Sequence, residues 1–270
     1  MAIDTANMCI DVPQTMRIVR DRPPDFVFVD RSEGLIYEDF TELVATVGAP
    51  SVFDASQYLS NIIAGHFGNP FDMGFDFLVS TLHKNFPGPQ RALLATREEN
   101  DRWRDVLAGI STYVSNMHGF GIYTAGFTLQ RTRWLQAYSQ RMLSGAVSLE
   151  NELALRGQTV VRRPAGRPPT HHVWLTCRSA EEAFAFFKAL ERCRILVNYR
   201  KLPYGLGMGL RLGLSFAARL GLEVADIPRL ADMIVSIKER GPTAFNRFKA
   251  REFNQALWTR YDGLTETGWD

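Results

Sequence analysis

A primary amine, a carboxylate and a guanidinium stand in this sequence where they could act together on a carbonyl compound. The amine is Lys84. It follows Phe75–Val79, an apolar run too short for an amphipathic helix and suited to a buried strand. Ser80, Thr81 and His83 lead up to the lysine, and Pro87-Gly88-Pro89 must turn the chain beyond it. A lysine just past the carboxyl end of a buried strand sits where open α/β sheets hold their ligands. Desolvated there, its amine can lose its proton and attack a carbonyl. The carboxylate, Asp54, ends the short strand-like run Ser51-Val52-Phe53-Asp54. The guanidinium, Arg211, lies in Gly209-Leu210-Arg211-Leu212-Gly213, between glycines that allow close backbone approach. It could grip a carboxylate through two parallel hydrogen bonds. Taken singly, each has a plainer reading: a surface lysine, a helix-capping aspartate and an ordinary surface arginine.

The elements that must position these groups are legible in outline. Phe26–Val29 reads as a buried strand, and Tyr37–Val47 as a helix closed by Gly48. The Ser51 strand, a helix from about Ser56 to Ala64, the Phe75 strand, a strand at Arg91–Ala95 and a helix at Glu98–Ile110 follow. This alternation argues for a mostly parallel α/β sheet. Parallel pairing would put Asp54 and Lys84 at the same edge of that sheet. A loop containing Gly119, Gly121 and Gly126 then leads into a long helix, roughly Thr128–Leu155. The remainder reads as a small α+β domain. Its strands are expected at His171–Cys177, Ile195–Asn198 and Leu210–Leu214, and its helices at Ala180–Arg192, Ile227–Lys238 and Ala244–Leu257. The expected division is therefore a partial large domain (1–127), a connecting helix (128–157) and a small C-terminal domain (158–270).

The chain has 270 residues, 46% of them hydrophobic and 22% charged, which is ordinary for a soluble globular protein. A net charge of +2 gives no reason to invoke nucleic acid or an anionic membrane as a partner. Cys9, Cys177 and Cys193 are odd in number and lack metal-type pairing, so a reduced, cytoplasmic setting is expected. The start has no basic segment followed by an apolar core, and no run approaches membrane-spanning length.

A carbonyl-binding lysine, a carboxylate and a carboxylate-gripping arginine are the set that a pyridoxal 5'-phosphate (PLP) enzyme acting on an amino acid requires. Asp54-Ala55-Ser56, Ile62-Ile63-Ala64-Gly65, Ser80-Thr81-Leu82-His83-Lys84 with Pro87-Gly88-Pro89, and Gly209-Leu210-Arg211-Leu212-Gly213 also resemble segments of serine hydroxymethyltransferase and the related threonine transaldolases. Those are fold-type I PLP enzymes, and the likeness runs in consistent order from about Asp21 to Lys238. The resemblance implies that Lys84 is the Schiff-base lysine, Asp54 the partner of the pyridinium nitrogen, and Arg211 the anchor of the substrate's α-carboxylate. His83 and Thr81 would lie by the cofactor. Gly119 and Gly121 fall where the family has a loop reaching a neighbouring subunit's PLP phosphate. Tyr199 and Tyr204 flank the start of the arginine strand and could line the pocket or pack as aromatics. His171 and His172 are expected to be structural.

Three departures shape the expectation. Gln57 stands where the family has a histidine contacting the cofactor's ring oxygen; it can donate a hydrogen bond but cannot act as an acid or base near neutral pH. Arg200 stands at the place of the folate-contacting asparagine, which argues against tetrahydrofolate. Finally, the family's phosphate-binding turn, ring-stacking residue and substrate-gripping tyrosine and acid have no counterpart ahead of Asp54. We therefore expect the C-terminal half of a fold-type I large domain plus a small α+β domain, acting as one subunit of a hetero-oligomer. A second polypeptide would supply the N-terminal half. The expected reaction is aldol-type carbon–carbon cleavage or formation on a β-hydroxy-α-amino acid. A non-catalytic stabilising subunit, or half of a two-subunit glycine decarboxylase, are the alternatives.

Overall fold

The structure is a computed structural model, and it describes residues 1–114, 116 and 118–267. The chain divides into two compact units. The first comprises residues 1–32 and 38–136, the second residues 33–37 and 137 onward.

The first unit opens with a short antiparallel pair, β1 (Ile3–Asp4) and β2 (Cys9–Ile10), and helix α1 (Val12–Asp21). The Asp11 side chain caps α1 by accepting from Gln14 N, and proline in the first turn supplies a preset φ. Then come β3 (Val27–Asp30), α2 (Thr41–Val47), β4 (Ser51–Asp54), α3 (Leu59–Ile63), β5 (Phe77–Thr81), β6 (Ala92–Thr96), α4 (Asp101–Tyr113) and α5 (Gly119–Leu129). The sheet order is β3-β4-β5-β6, with β3, β4 and β5 parallel and β6 antiparallel at the end. This is the mostly parallel sheet that the alternation of elements implied. Under it, Phe53 packs edge-on against Phe75 at 5.3 Å between ring centroids, with Phe40 6.4 Å from both.

The glycines expected in a loop lie in a helix instead. Gly119 and Gly121 form the first turn of α5, where Gly121 N donates to the His118 carbonyl. Gly121 is buried against Arg91: a Cβ there would stand 2.9 Å from the Arg91 Nε. A helix with glycines in its first turn gives no period that marks its start, which is why it read as a loop.

Helix α6 (Thr132–Leu155) begins in the first unit and continues into the second. The second unit also contains β7 (His172–Thr176), α7 (Ala180–Arg192), β8 (Asn198–Lys201), β9 (Met208–Gly213), α8 (Ser215–Arg219), a 3-10 turn at Val224–Asp226, α9 (Ile227–Arg240) and α10 (Ala244–Thr267). Its antiparallel sheet runs β7-β9-β8. Val173, Leu175, Leu210 and Leu212 alternate onto the face that packs against Leu149, Leu153, Phe186, Leu190 and Ile234. Arg211 therefore projects from the opposite face. The β8 ladder begins at Asn198, where a strand at Ile195–Asn198 was expected; Ile195 and Val197 pack on the core from the preceding loop. Gly209 is required by the sheet itself. A Cβ there would lie 2.4 Å from the Leu175 carbonyl oxygen and 2.6 Å from Leu202 Cδ1.

A buried ion pair ties α6 to the start of β7. Arg163 Nε donates to Glu150 Oε2 at 2.6 Å, and the same guanidinium donates to the carbonyls of Thr170 (3.0 Å) and His172 (3.1 Å). Removing one member of such a pair strands the other charge without water. Glu150→Ala is expected to cost about 3–5 kcal/mol, read as a lower urea midpoint, whereas Arg178→Ala at an exposed pair should cost under about 1 kcal/mol.

Candidate active site

Asp54 and Lys84 are brought to one end of the first unit's sheet by the parallel β4–β5 ladder. Asp54 pairs with Val79, and the chain continues from β5 at Thr81 into the Lys84 loop, so both groups follow carboxyl ends of adjacent strands. Asp54 Oδ1 accepts from Ser56 N at 2.8 Å, a local turn that fixes the carboxylate ahead of α3. The Ser56 hydroxyl in turn accepts from Thr81 N at 3.0 Å, and Ala55 N donates to the Val79 carbonyl at 2.8 Å. The two strand ends are thus laced together directly beside both residues.

The loop that carries Lys84 is pinned on both sides. Leu82 N donates to the Arg91 carbonyl (2.8 Å), and Gly88 N donates back to the Leu82 carbonyl (2.7 Å). Gly88 cannot be replaced cheaply, because a Cβ there would lie 2.7 Å from the Phe86 ring and 2.9 Å from the Leu82 oxygen. Immediately after the lysine, the fully buried Asn85 reaches into α3: its Oδ1 accepts from Ser60 N at 2.8 Å and its Nδ2 donates to Asn61 Oδ1 at 2.9 Å. Ser60 Oγ donates to the Asn85 carbonyl at 3.0 Å. Sequence reasoning missed this network. Its signal was the polar pair Ser60-Asn61 in the otherwise apolar segment Leu59–Ile63.

Lys84 and His83 are exposed in this chain. Gln57 is half-buried just past Asp54, and Thr81 is half-buried at the end of β5 with its hydroxyl oxygen buried and unpartnered.

In the second unit, Arg211 stands in the middle of β9, directly across from Asn198 on β8 and Trp174 on β7. Its Nε and Nη2 both donate to Asn198 Oδ1, at 3.3 and 3.0 Å. Its Nη1 lies 3.4 Å from Glu33 Oε1, and Arg200, on the same face of β8 two residues beyond Asn198, pairs with that same oxygen. Tyr204, in the turn before β9 with a left-handed φ of 60°, places its ring 6.1 Å from that of Trp174. Tyr199 instead packs with Phe184 and Phe187 at 5.4 and 6.1 Å.

His171 and His172 are buried with ring centroids 4.0 Å apart. Burial, then the charges of Arg211 and Arg163, push His171 down to about 3; burial, His171 and Arg211 likewise hold His172 well below its ordinary value. Both imidazoles are therefore neutral near pH 7.

No family model matches the chain. It is 27% identical over 243 residues to a serine hydroxymethyltransferase of Pyrobaculum calidifontis, a match covering 87% of this chain and 56% of that protein. It is likewise 27% identical over 271 residues to the serine hydroxymethyltransferase of Staphylothermus marinus, covering 96% of this chain and 62% of its relative. The chain is similar in sequence to these serine hydroxymethyltransferases. The structure superposes with a TM-score of 0.88 on the crystal structure of L-threonine transaldolase from Pseudomonas fluorescens in its internal aldimine state, at 22% identity, covering 95% of this chain and 60% of that one. The fold is that of the C-terminal part of a fold-type I PLP enzyme. The chain thus spans somewhat more than half the length of the serine hydroxymethyltransferases it matches.

The histidine pair generates a pH dependence whose sign is fixed. Each folded-state value lies below the ordinary 6.5, so the unfolded chain binds more protons and stability falls as pH drops below about 6.5, continuing towards 3 for His171. The slope is up to about 1.4 kcal/mol per pH unit for each histidine. Urea midpoints taken from pH 7 to pH 4.5 should decline, and less steeply in His171→Asn.

Proposed function

We propose that this chain carries the cofactor lysine of a PLP-dependent enzyme performing aldol-type carbon–carbon cleavage or formation on a β-hydroxy-α-amino acid. The observation that carries the reading is the placement of Asp54 and Lys84 at the carboxyl ends of adjacent parallel strands, with the lysine's loop pinned through Asn85 and Gly88. The residues fit the group. Lys84 offers an exposed amine for the pyridoxal carbonyl, Asp54 a carboxylate for the pyridinium nitrogen, and Thr81 a buried hydroxyl oxygen still lacking a partner. Gln57 could donate a hydrogen bond to the ring oxygen, and the backbone at Gly119 and Gly121 could serve a phosphate. When bound, PLP supplies an electron sink for charge developing at the amino acid's α-carbon.

The chain's own groups divide the remaining work. Asp54 would hold a proton on the ring nitrogen, and His83 would lie beside the ring. Arg211, with Tyr204 nearby, would orient the substrate by its α-carboxylate. Lys84 would take and return protons at the amine it uses to release product. Arg200, at the place of the family's folate-contacting asparagine, favours a reaction without tetrahydrofolate.

We further propose that the chain works in a hetero-oligomer with a polypeptide carrying the N-terminal half of the large domain. Two features support this reading. Strand β3 ends the sheet with Phe26 and Phe28 exposed at 61% and 44%, an edge that folded proteins normally cover. Helix α5 exposes Phe120, Ile122 and Tyr123. That added protein would also exclude water from Lys84.

The chain mixed with such a polypeptide, PLP and L-threonine or L-serine should show a visible absorbance change on cofactor binding and release an aldehyde. Lys84→Ala should abolish both, and Arg211→Gln should raise KM by roughly 10- to 100-fold, the scale of a lost charge-assisted contact. Absence of any Lys84-dependent absorbance would sink the reading.

A further inference from the structure

We infer that Glu33 is a built-in competitor for Arg211, and that Arg200 is the group that holds Glu33 aside when a substrate carboxylate arrives. The inference rests on the reading of Arg211 as the carboxylate anchor and adds a residue that sets how tightly that anchor binds.

The geometry is specific. A single oxygen, Glu33 Oε1, lies against Nη1 of both Arg200 and Arg211, the latter at 3.4 Å. Asn198 meanwhile accepts from Arg211 Nε and Nη2, so the edge of the guanidinium turned to Glu33 is the one carrying Nη1. A substrate carboxylate binding Arg211 would have to share or take this edge. Glu33 cannot simply drift away, because its neighbours are fixed. The Gly34 carbonyl accepts from Thr170 Oγ1 at 2.7 Å, Thr170 N donates to the Leu35 carbonyl at 2.9 Å, and Tyr37 N donates to the Pro168 carbonyl at 2.9 Å. Leu35 and Ile36 are buried. The backbone of the 33–37 segment is therefore held, while the Glu33 side chain is one-third exposed.

Arg200 supplies the alternative resting place. It projects from β8 on the same face as Asn198, paired in register with Gly209. Its contact with Glu33 is the closer of the two. Glu33 Oε1 is thus shared by two guanidinium groups. An incoming carboxylate takes the Glu33 edge of Arg211 when Glu33 moves fully onto Arg200. Without Arg200, Glu33 would rest on Arg211 alone and oppose the ligand. Without Glu33, the Nη1 edge of Arg211 would lose this competitor.

This produces opposite signs for neighbouring substitutions, which a merely structural role would not. The full-length chain is treated with phenylglyoxal across a range of acetate concentrations at constant ionic strength, and modification of Arg211 is quantified by peptide mass spectrometry. The acetate concentration that half-protects Arg211 should fall roughly three- to tenfold in Glu33→Gln, the range expected for a partly exposed charged contact. It should rise in Arg200→Gln, and the double variant should follow Glu33→Gln. If acetate protects Arg211 in the wild type but Glu33→Gln leaves the half-protecting concentration unchanged or higher, the competitor role is overturned while the anchor reading stands. A double variant that follows Arg200→Gln also overturns it. If acetate protects Arg211 in none of the proteins, the anchor reading fails and the competitor role fails with it.

Discussion

The parallel pairing of β4 with β5 is the constraint on which the candidate site depends. Because the two strands run the same way, an aspartate ending one and a lysine following the other emerge at the same edge; antiparallel pairing would have sent them to opposite ends. Register alone does not fix side chains that lie beyond the last ladder bond. That precision comes from polar contacts at the strand ends: Ser56 between Asp54 and Thr81, and Asn85 between Lys84 and α3. Asn85 is fully buried, so its amide must be satisfied within the protein, and the observed loop path satisfies it through Ser60 and Asn61. A flexible surface lysine has no need of such an anchor. The cost of burying two asparagines and a serine is met by mutual hydrogen bonding, and the return is a defined position for the residue next door.

On the proposed reading, the lysine's position and its cover come from different places. The first unit positions Lys84 and leaves its side chain exposed. A carbonyl-attacking amine needs cover, and the exposed aromatics at the β3 edge and along α5 are surface of the kind that further protein covers. The chain spans 56% and 62% of the length of two of the relatives it matches.

How far the sequence disclosed this depends on what kind of force placed each residue. Hydrophobic alternation and strand length marked the order of β3 to β6, helices α6, α7, α9 and α10 and the edge shared by Asp54 and Lys84, because those follow from local period and from chain connectivity; the five-residue α8 left no such mark. Helix α5 was read as a loop because Gly119, Gly121 and Gly126 weaken the helical signal, while the contact that favours glycine at 121, with Arg91, lies thirty residues away in sequence. Glu33 was invisible for the same reason. Nothing around it marks it as more than a loop acid, and its partners are Arg200 and Arg211 on strands far along the chain. Long-range polar contacts between single residues leave no periodic trace.

The buried histidines bear on how Arg211 behaves. Two imidazoles packed at 4.0 Å in a water-free setting could together carry a second and third positive charge beside the guanidinium, yet burial and that same guanidinium keep both neutral. The electrostatics of the β9 face then rest on the guanidinium groups of Arg211, Arg200 and Arg163 and on the carboxylates of Glu33 and Glu150 that pair with them. An arginine whose neighbours charged and discharged between pH 6 and 7 would bind anions with an affinity that changed with the medium. Excluding water from His171 and His172 removes that variation. The acid sensitivity of the fold and the constancy of the arginine's surroundings are two consequences of the same burial.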